Sequence, residues 1–240
     1  MKITIGHLYP DLLNLYGDRG NIQCMRKRLE WRGFEAEVRE FQLDDRIDFT
    51  ALDIVLLGGG SDREQMLVCS QLKKIQKDFQ SYVEDGGSVL AVCGGYQLLG
   101  HYYDTEEGRI EGLSLVDLYT KQGSPRLISN IVIENEHFPY PIVGFENHGG
   151  RTYINENRPL GKVIFGFGNN GEDQQEGVLY RNVIGTYLHG PLLPKNPHLC
   201  DYLLKNALER KYGSQELTPL DDTQEKEAND YIVKRFVKNH

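Results

Sequence analysis

The chain has 240 residues, a net charge of −8 and no long basic stretch, which disfavours a general nucleic-acid surface. Its four cysteines, Cys24, Cys69, Cys93 and Cys200, show neither C-x-x-C spacing nor a pairing pattern, so neither a disulfide framework nor a structural zinc site is expected. No run of about 18 apolar residues occurs, so no membrane span is expected, and the start MKITIGHLYPD lacks the apolar stretch of a signal peptide.

Lys2–Tyr9 reads as a first strand. The segment GNIQCMRKRLEWRGF reads as a helix, because Ile22, Met25 and Leu29 recur at helical spacing, and Gly33 suits its C-terminal cap. AEVREF is a short strand, and DIVLLGGG is a near-continuous apolar strand that runs into three glycines. Ser61 and Glu64 form a capping box at the start of the next helix, expected to reach about Val83 with a break. Asp85-Gly86-Gly87 is a turn, and SVLAV is the next buried strand.

Continuous apolar strands alternating with helices indicate a parallel sheet covered on both faces. Beyond about residue 112 the pattern changes. LSLVDLYT, RLISNIVIE, PIVGFE, KVIFGF, GVLYRN and VIGTYLHG are strand-like runs between turns, and GNNGEDQQEG is a hairpin or loop. Helices are expected over Pro197–Arg210 and Asp222–Val237. The expectation is an α/β protein with a mainly parallel central sheet, flanking helices and some antiparallel strands in the second half. Residues 1–240 read as one domain.

Cys93 stands where SVLAV meets the segment GGYQLL. A thiol there lies at the carboxyl edge of the sheet, where ligands bind in such folds. The N–H groups of the following helix favour a thiolate, and Gly94 and Gly95 permit a sharp turn. This is the logic of a nucleophile elbow, with the Gly94 N–H directed at an oxyanion. A small buried hydrophobe is the competing reading of Cys93. Cys24, Cys69 and Cys200 fall in helical patterns and read as structural. The Gly58-Gly60 turn, with Gly59 at its centre, lies at the same sheet edge and offers a second oxyanion amide; a plain tight turn is the alternative. The chain has no P-loop lysine after it.

A cysteine nucleophile needs a base. Of seven histidines, His148 in GFENHGG and His189 in GTYLHGP follow strands, and His189, at the end of an apolar strand, is the stronger candidate. His7 ends a strand, His101 follows the Cys93 helix too distantly, and His240 is terminal.

With CGGYQLL, GFENHGGRT and GTYLHGP on the page, the sequence resembles the class I (triad) glutamine amidotransferases, with CGGYQ matching the nucleophile motif C-x-G-x-Q. It is most similar to the branch of cobyric acid synthases. Within that branch LNLYGDRGNI, GGGSDREQ, GFENHGGRT and GTYLHGPLLPKN resemble the glutaminase subunits of lipid II isoglutaminyl synthases. The likeness covers essentially the whole chain. It implies the flavodoxin-like fold of these enzymes and the hydrolysis of L-glutamine through a Cys93 thioester, with His189 carrying protons. It also implies substrate contacts from Gln97, one helical turn from Cys93, and from Arg126, to the glutamine carboxylate. No chemistry is assigned to Glu146, Asn147, His148 and Arg151.

Many relatives carry H-x-E, whereas this chain has His189-Gly190-Pro191. An acid elsewhere in the chain or in a partner must orient the imidazole. The resemblance favours the partner, a Mur ligase-like synthetase subunit (MurT) that brings ATP and Mg; no cofactor is expected in this chain. It implies passage of ammonia to the α-carboxylate of D-glutamate in the lipid II stem peptide, at the cytoplasmic face of the membrane. A cobyrinate-type amidotransferase, a stand-alone cysteine hydrolase and a non-catalytic thiol-bearing module remain as alternatives.

Overall fold

A computed structural model describes residues 1–14, 17–213 and 216–237. Leu15 and Tyr16 of the LNLYGDRGNI motif, and His240, lie outside the described residues.

The first half alternates strands and helices: β1 (Lys2–Leu8), α1 (Arg19–Glu30), β2 (Glu35–Phe41), β3 (Ile54–Leu57), α2 (Asp62–Lys74), α3 (Gln76–Glu84), β4 (Ser88–Val92) and α4 (Gly94–Leu99). The second half contains β5 (Tyr102–Thr105), β6 (Gly108–Glu111), β7 (Tyr119–Glu134), β8 (Ile142–Tyr153), β9 (Gly161–Phe165), β10 (Gln175–Glu176), β11 (Val178–Tyr180) and β12 (Val183–Thr186). Helices α5 (Pro197–Tyr212) and α6 (Thr223–Phe236) follow.

Two sheets result. One has the order β11-β12-β4-β3-β1-β2 and is parallel except for β11. Strands β3, β4 and β12 are buried at every position, which explains their unbroken apolar sequences. At the edge, β2 alternates charged and apolar residues and is half-exposed, as an edge strand that must resist further pairing does. In the second sheet, long β7 pairs antiparallel with β8 and β9 and parallel with β5. The fold is of the α/β class, a mainly parallel sheet with flanking helices and antiparallel strands in the second half.

Several local expectations hold in detail. The Ser61 side chain accepts from Glu64 N–H while the Glu64 carboxylate accepts from Ser61 N–H at 2.8 Å. Gly33, at φ 77°, turns the chain beyond α1, with Phe34 N–H donating to Leu29 O at 3.1 Å. The long helix breaks at Ile75.

Others differ. LSLVDLYT is irregular up to Leu118, because Leu113, Leu115 and Val116 donate to the carbonyls of Leu98 and Leu99 and so satisfy the end of short α4. Strand β12 stops at Thr186, three residues before His189. The charged hairpin β5–β6 has no apolar alternation to announce it.

Candidate active site

Cys93 is the hinge between β4 and α4, at φ 51° and ψ −108°. A side-chain-bearing residue with positive φ is strained, and that strain is the structural mark of an elbow. The elbow is packed so tightly that glycine is required around it. A Cβ on Gly95 would lie 2.4 Å from Leu57 O, and one on Gly59 would lie 3.0 Å from the Cys93 Cβ.

Strand pairing sets the partner. β4 lies parallel to β12 with Val92 opposite Thr186, and Cys93 N–H donates to Thr186 O at 2.8 Å. Both chains therefore leave the same carboxyl edge side by side. From Thr186 the chain runs through Tyr187 and Leu188 to His189. His189 is pinned by reciprocal backbone bonds with Phe145 of β8, at 3.0 and 3.2 Å. Its ring meets that of Phe145 edge-on, with centroids 5.7 Å apart.

The site is closed: Cys93 is 7% exposed and His189 1%. Burial dominates the electrostatics. It pushes the Cys93 thiol up to about 12, with the Asp18 charge adding in the same direction and the Gly94 N–H and Arg126 opposing. The expectation that the helix N-terminus makes the thiol acidic is therefore corrected. Helix α4 has only six residues, and the desolvation of a buried sulfur outweighs it. Burial likewise lowers His189 to about 4, with the charges of His148, Lys195 and Arg126 adding to the shift. In this state a neutral thiol stands beside the strand that leads to a neutral imidazole.

The Gly59 amide is already engaged in this state. Its N–H donates to the buried Asp18 carboxylate at 3.0 Å, while Gly58 O accepts from Gly95 N–H at 3.0 Å. The peptide between Gly58 and Gly59 is thus held at both ends, and its amide is not presented to a reacting carbonyl. The Gly94 N–H, by contrast, reaches the sulfur.

Gln97 lies one turn along α4 from Cys93, its N–H donating to Cys93 O at 3.1 Å. Its side chain is buried, and its Nε2 donates to the Tyr187 hydroxyl at 3.0 Å. That hydroxyl also lies 2.6 Å from Thr152 Oγ1, which in turn is 2.8 Å from Thr120 Oγ1. Arg126 sits where the β7–β8 register slips between Gln122 and Leu127, a bulge that turns its side chain out of the sheet pattern. Its guanidinium donates to Asn147 Oδ1 at 3.1 Å and to Asn147 O at 2.9 Å. It acts electrostatically on both Cys93 and His189, so the bulge brings it to the same site.

The GFENHGG segment supports this arrangement. His148 donates from Nδ1 to Gly150 O at 2.8 Å and stacks flat on Tyr187, with centroids 3.6 Å apart. Asn147 orients Arg126, and Arg151 donates to Pro125 O beside it. Four site residues were not singled out by the sequence: Asp18, Asp62, Tyr187 and Glu176. Asp18 and Asp62 both act on the Cys93 thiol. Glu176 is fully buried and accepts from Tyr187 N–H at 2.7 Å. The sequence signal was present for Asp18, Asp62 and Tyr187, which lie inside the motifs LNLYGDRGNI, GGGSDREQ and GTYLHGP. Among the described residues no group of three or more His, Cys, Asp or Glu side chains could hold a metal ion.

With this geometry the family assignment is direct. Residues 4–197 match the CobB/CobQ-like glutamine amidotransferase domain. The chain belongs to the CobB/CobQ-like glutamine amidotransferase family. It is 47% identical to the lipid II isoglutaminyl synthase (glutamine-hydrolyzing) subunit GatD of Staphylococcus aureus, over 98% of this chain and 96% of that one. The corresponding GatD of Streptococcus pneumoniae is 44% identical, over 88% of this chain and 83% of that one. A probable cobyric acid synthase of Methanocaldococcus jannaschii is 29% identical over 85% of this chain, which spans 43% of that protein. A crystal structure of a glutamine amidotransferase superposes with a TM-score of 0.54 at 17% identity, covering 85% of this chain and 98% of that one, which speaks to the fold. No helix among the described residues is long and apolar enough to cross a membrane.

Proposed function

We propose that this amidotransferase domain, spanning residues 1–240, is the glutaminase subunit of a lipid II isoglutaminyl synthase. The observation that carries the glutaminase reading is the strained Cys93 elbow held against the strand that leads to His189. Similarity to the GatD subunits supports the acceptor.

Cys93 gives its proton to His189 and attacks the side-chain amide carbon of L-glutamine. The Gly94 N–H stabilises the oxyanion, and Gly59 is the second donor once its amide is released. His189 returns the proton to the leaving nitrogen, ammonia departs, and a thioester remains. Water, deprotonated by His189, hydrolyses it to glutamate. Arg126 pairs with the glutamine α-carboxylate. Gln97 contacts the substrate from the first turn of α4.

Ammonia in neutral water is mostly protonated, so an acceptor must lie close and sheltered. The partner is a Mur ligase-like synthetase subunit (MurT) that uses ATP and Mg to activate the α-carboxylate of D-glutamate in the lipid II stem peptide. The chain itself needs no cofactor. Pro191 occupies the place of the usual triad glutamate and packs over Gly20, where a Cβ would lie 2.4 Å from the Pro191 Cγ. The resemblance to the isoglutaminyl synthase subunits supports a partner as the source of the acid that orients His189. The cationic surroundings of His189 favour such a carboxylate. The complex works in the cytoplasm, at the inner face of the membrane.

The test is glutamate release by the purified chain and by Cys93→Ala, alone and with the co-expressed synthetase subunit. Glutamate is expected only with Cys93 intact, and at a rate that rises sharply in the complex. Glutamate production independent of Cys93 would sink the proposal, and so would none in either preparation.

A further inference from the structure

The LNLYGDRGNI motif has no place in the mechanism above, yet its aspartate reaches the nucleophile's surroundings. Asp18 stands at the N-terminal boundary of α1, but its carboxylate does not cap that helix. It extends instead to the Gly59 N–H, 41 residues away in sequence, at 3.0 Å. The residue is wholly buried, and its second oxygen, Oδ1, has no hydrogen-bond partner. Burying a carboxylate with one oxygen unsatisfied is costly. The cost shows in the group itself, whose carboxyl is raised to about 6 by desolvation. A neutral residue would hold the turn at less expense in stability.

The same segment touches both halves of the site. Asp18 holds the Gly58–Gly60 turn, on which Gly59 packs against Cys93. Two residues on, Gly20 packs against Pro191; next to it, the Asn21 side chain accepts from Leu193 N–H at 2.9 Å. Pro191 and Leu193 follow His189 directly. Helix α1 is in turn anchored by Arg28, which pairs with Asp201 of α5 and with Asp222 at the start of α6. Residues 18–21 therefore connect the oxyanion turn with the loop that leaves the histidine.

We propose that Asp18 is a positioning residue that acts as a brake on the nucleophile: it withholds the Gly59 amide from the substrate carbonyl and sets an unpaired negative charge behind Cys93. This rests on the reading of Cys93 as the nucleophile. A carboxylate behind the site disfavours both the thiolate and the tetrahedral oxyanion, because each adds a second negative charge to a region of low dielectric. Shifting residues 18–21 releases the amide and moves the charge away. The brake lowers the rate of the isolated subunit in addition to the effect of the acid it lacks.

The test uses Asp18→Asn, which keeps an acceptor for Gly59 N–H and removes the charge, and Asp18→Ala, which removes both. The first readout is carboxamidomethylation of Cys93 by iodoacetamide across pH in the isolated chain. The other groups acting on this thiol are Asp62 from α2, Arg126 from β7, the Gly94 N–H, and the phenols of Tyr103 and Tyr187; all are unchanged in the variants. The second readout is glutaminase kcat and KM. Asp18→Asn is expected to lower the alkylation midpoint by about one pH unit. It is also expected to raise kcat of the isolated chain about fivefold with KM within twofold. Asp18→Ala is expected to raise kcat further if it folds; if it does not, Asp18→Asn decides alone. An alkylation midpoint that does not fall, or a kcat that does not rise, overturns the brake. Those results leave Cys93-dependent hydrolysis by the wild type untouched, so they are distinguishable from failure of the functional reading.

Discussion

Cys93 and Thr186 are joined by a 2.8 Å backbone hydrogen bond, and this bond brings the two halves of the site together. It continues the β4–β12 ladder one step past Val92. The chain can then turn sharply on one side, into α4, while the other side runs on to His189. Nothing in the local sequence around either residue specifies the other; the pairing of two parallel strands does.

Arg126 is predicted to govern glutamine affinity. Asn147 already holds one edge of its guanidinium, through Nε and Nη2, which leaves the charge pre-oriented for a carboxylate. A hydrogen bond to a charged group contributes about 1.5–3 kcal/mol, so Arg126→Ala should raise KM by roughly 10- to 100-fold and change kcat far less. Lysine should not restore it, since an ammonium cannot hold Asn147 and pair with a carboxylate through one planar fork. Asn147→Ala should give an intermediate KM. Steady-state glutaminase kinetics of the complex test all three variants, and an unchanged KM in Arg126→Ala removes the residue from substrate binding.

His189 is lowered to about 4 in the isolated chain, and the functional form of a general base is neutral imidazole. The acid limb of kcat/KM should therefore lie near pH 4 in the isolated subunit, well below the 6.5 of an ordinary histidine. A carboxylate placed beside the ring on assembly stabilises the imidazolium and raises that value. The acid limb of the complex should accordingly move toward neutral pH. Parallel pH–rate profiles, with circular dichroism to follow folding, read this directly. A limb at the same pH in both preparations would argue against an acid supplied in trans.

The order of strands and helices was legible because the parallel strands are buried on both faces and read as unbroken apolar runs such as IVLL and VLAV. The Cys93 elbow was legible because an apolar strand running into two glycines has a local signature, whereas β12 ends three residues short of His189. That the Gly59 amide is held by Asp18 was not legible, because only tertiary packing shows that the carboxylate is buried and aimed there. The thiol's acidity was misjudged in the same way, since burial is a property of the assembled site and outweighs a one-and-a-half-turn helix. Arg126 was read as part of a strand, and its usefulness comes from the bulge that breaks the register there.

Tyr187 is predicted to be the structural centre of the site floor. Its hydroxyl serves both Gln97 and Thr152, and its ring is covered by His148 and met edge-on by Tyr96, with centroids 5.2 Å apart. Tyr187→Phe leaves buried Gln97 and Thr152 groups short of a partner, at a cost of about 1–3 kcal/mol. For a chain of this size that corresponds to a fall in Tm of roughly 2–12 °C. Because the lost bond is shared with Gln97, Tyr187→Phe and Gln97→Leu should be non-additive, by about 0.5 kcal/mol or more. Additive effects in a double-mutant cycle from denaturant unfolding would show that the two do not act together.

Glu176 should dominate the pH dependence of stability above neutrality. Burial raises its carboxyl from 4.5 to about 8 in the folded chain, against the bonds it accepts from Tyr187 N–H and the Thr186 hydroxyl. Between those values the folded state holds a proton that the unfolded state has lost, so stability falls as pH rises through the window. His7, His189 and His198 act in the opposite sense: each is lowered from 6.5 to about 4, and their contribution is lost as pH falls through that range. At pH 6.5 an unfolded histidine is still half protonated, so from pH 6.5 to 8 these three regain about 1 kcal/mol and offset much of the loss from Glu176. The wild type should therefore lose only about 0.5 kcal/mol over that interval, a degree or two of Tm. Glu176→Gln keeps the shape and an acceptor for Tyr187 N–H but cannot titrate, so its Tm should rise by a few degrees from pH 6.5 to 8 while that of the wild type falls slightly. Thermal melts of the two proteins at half-unit steps decide the matter: equal slopes would mean that another group carries the dependence.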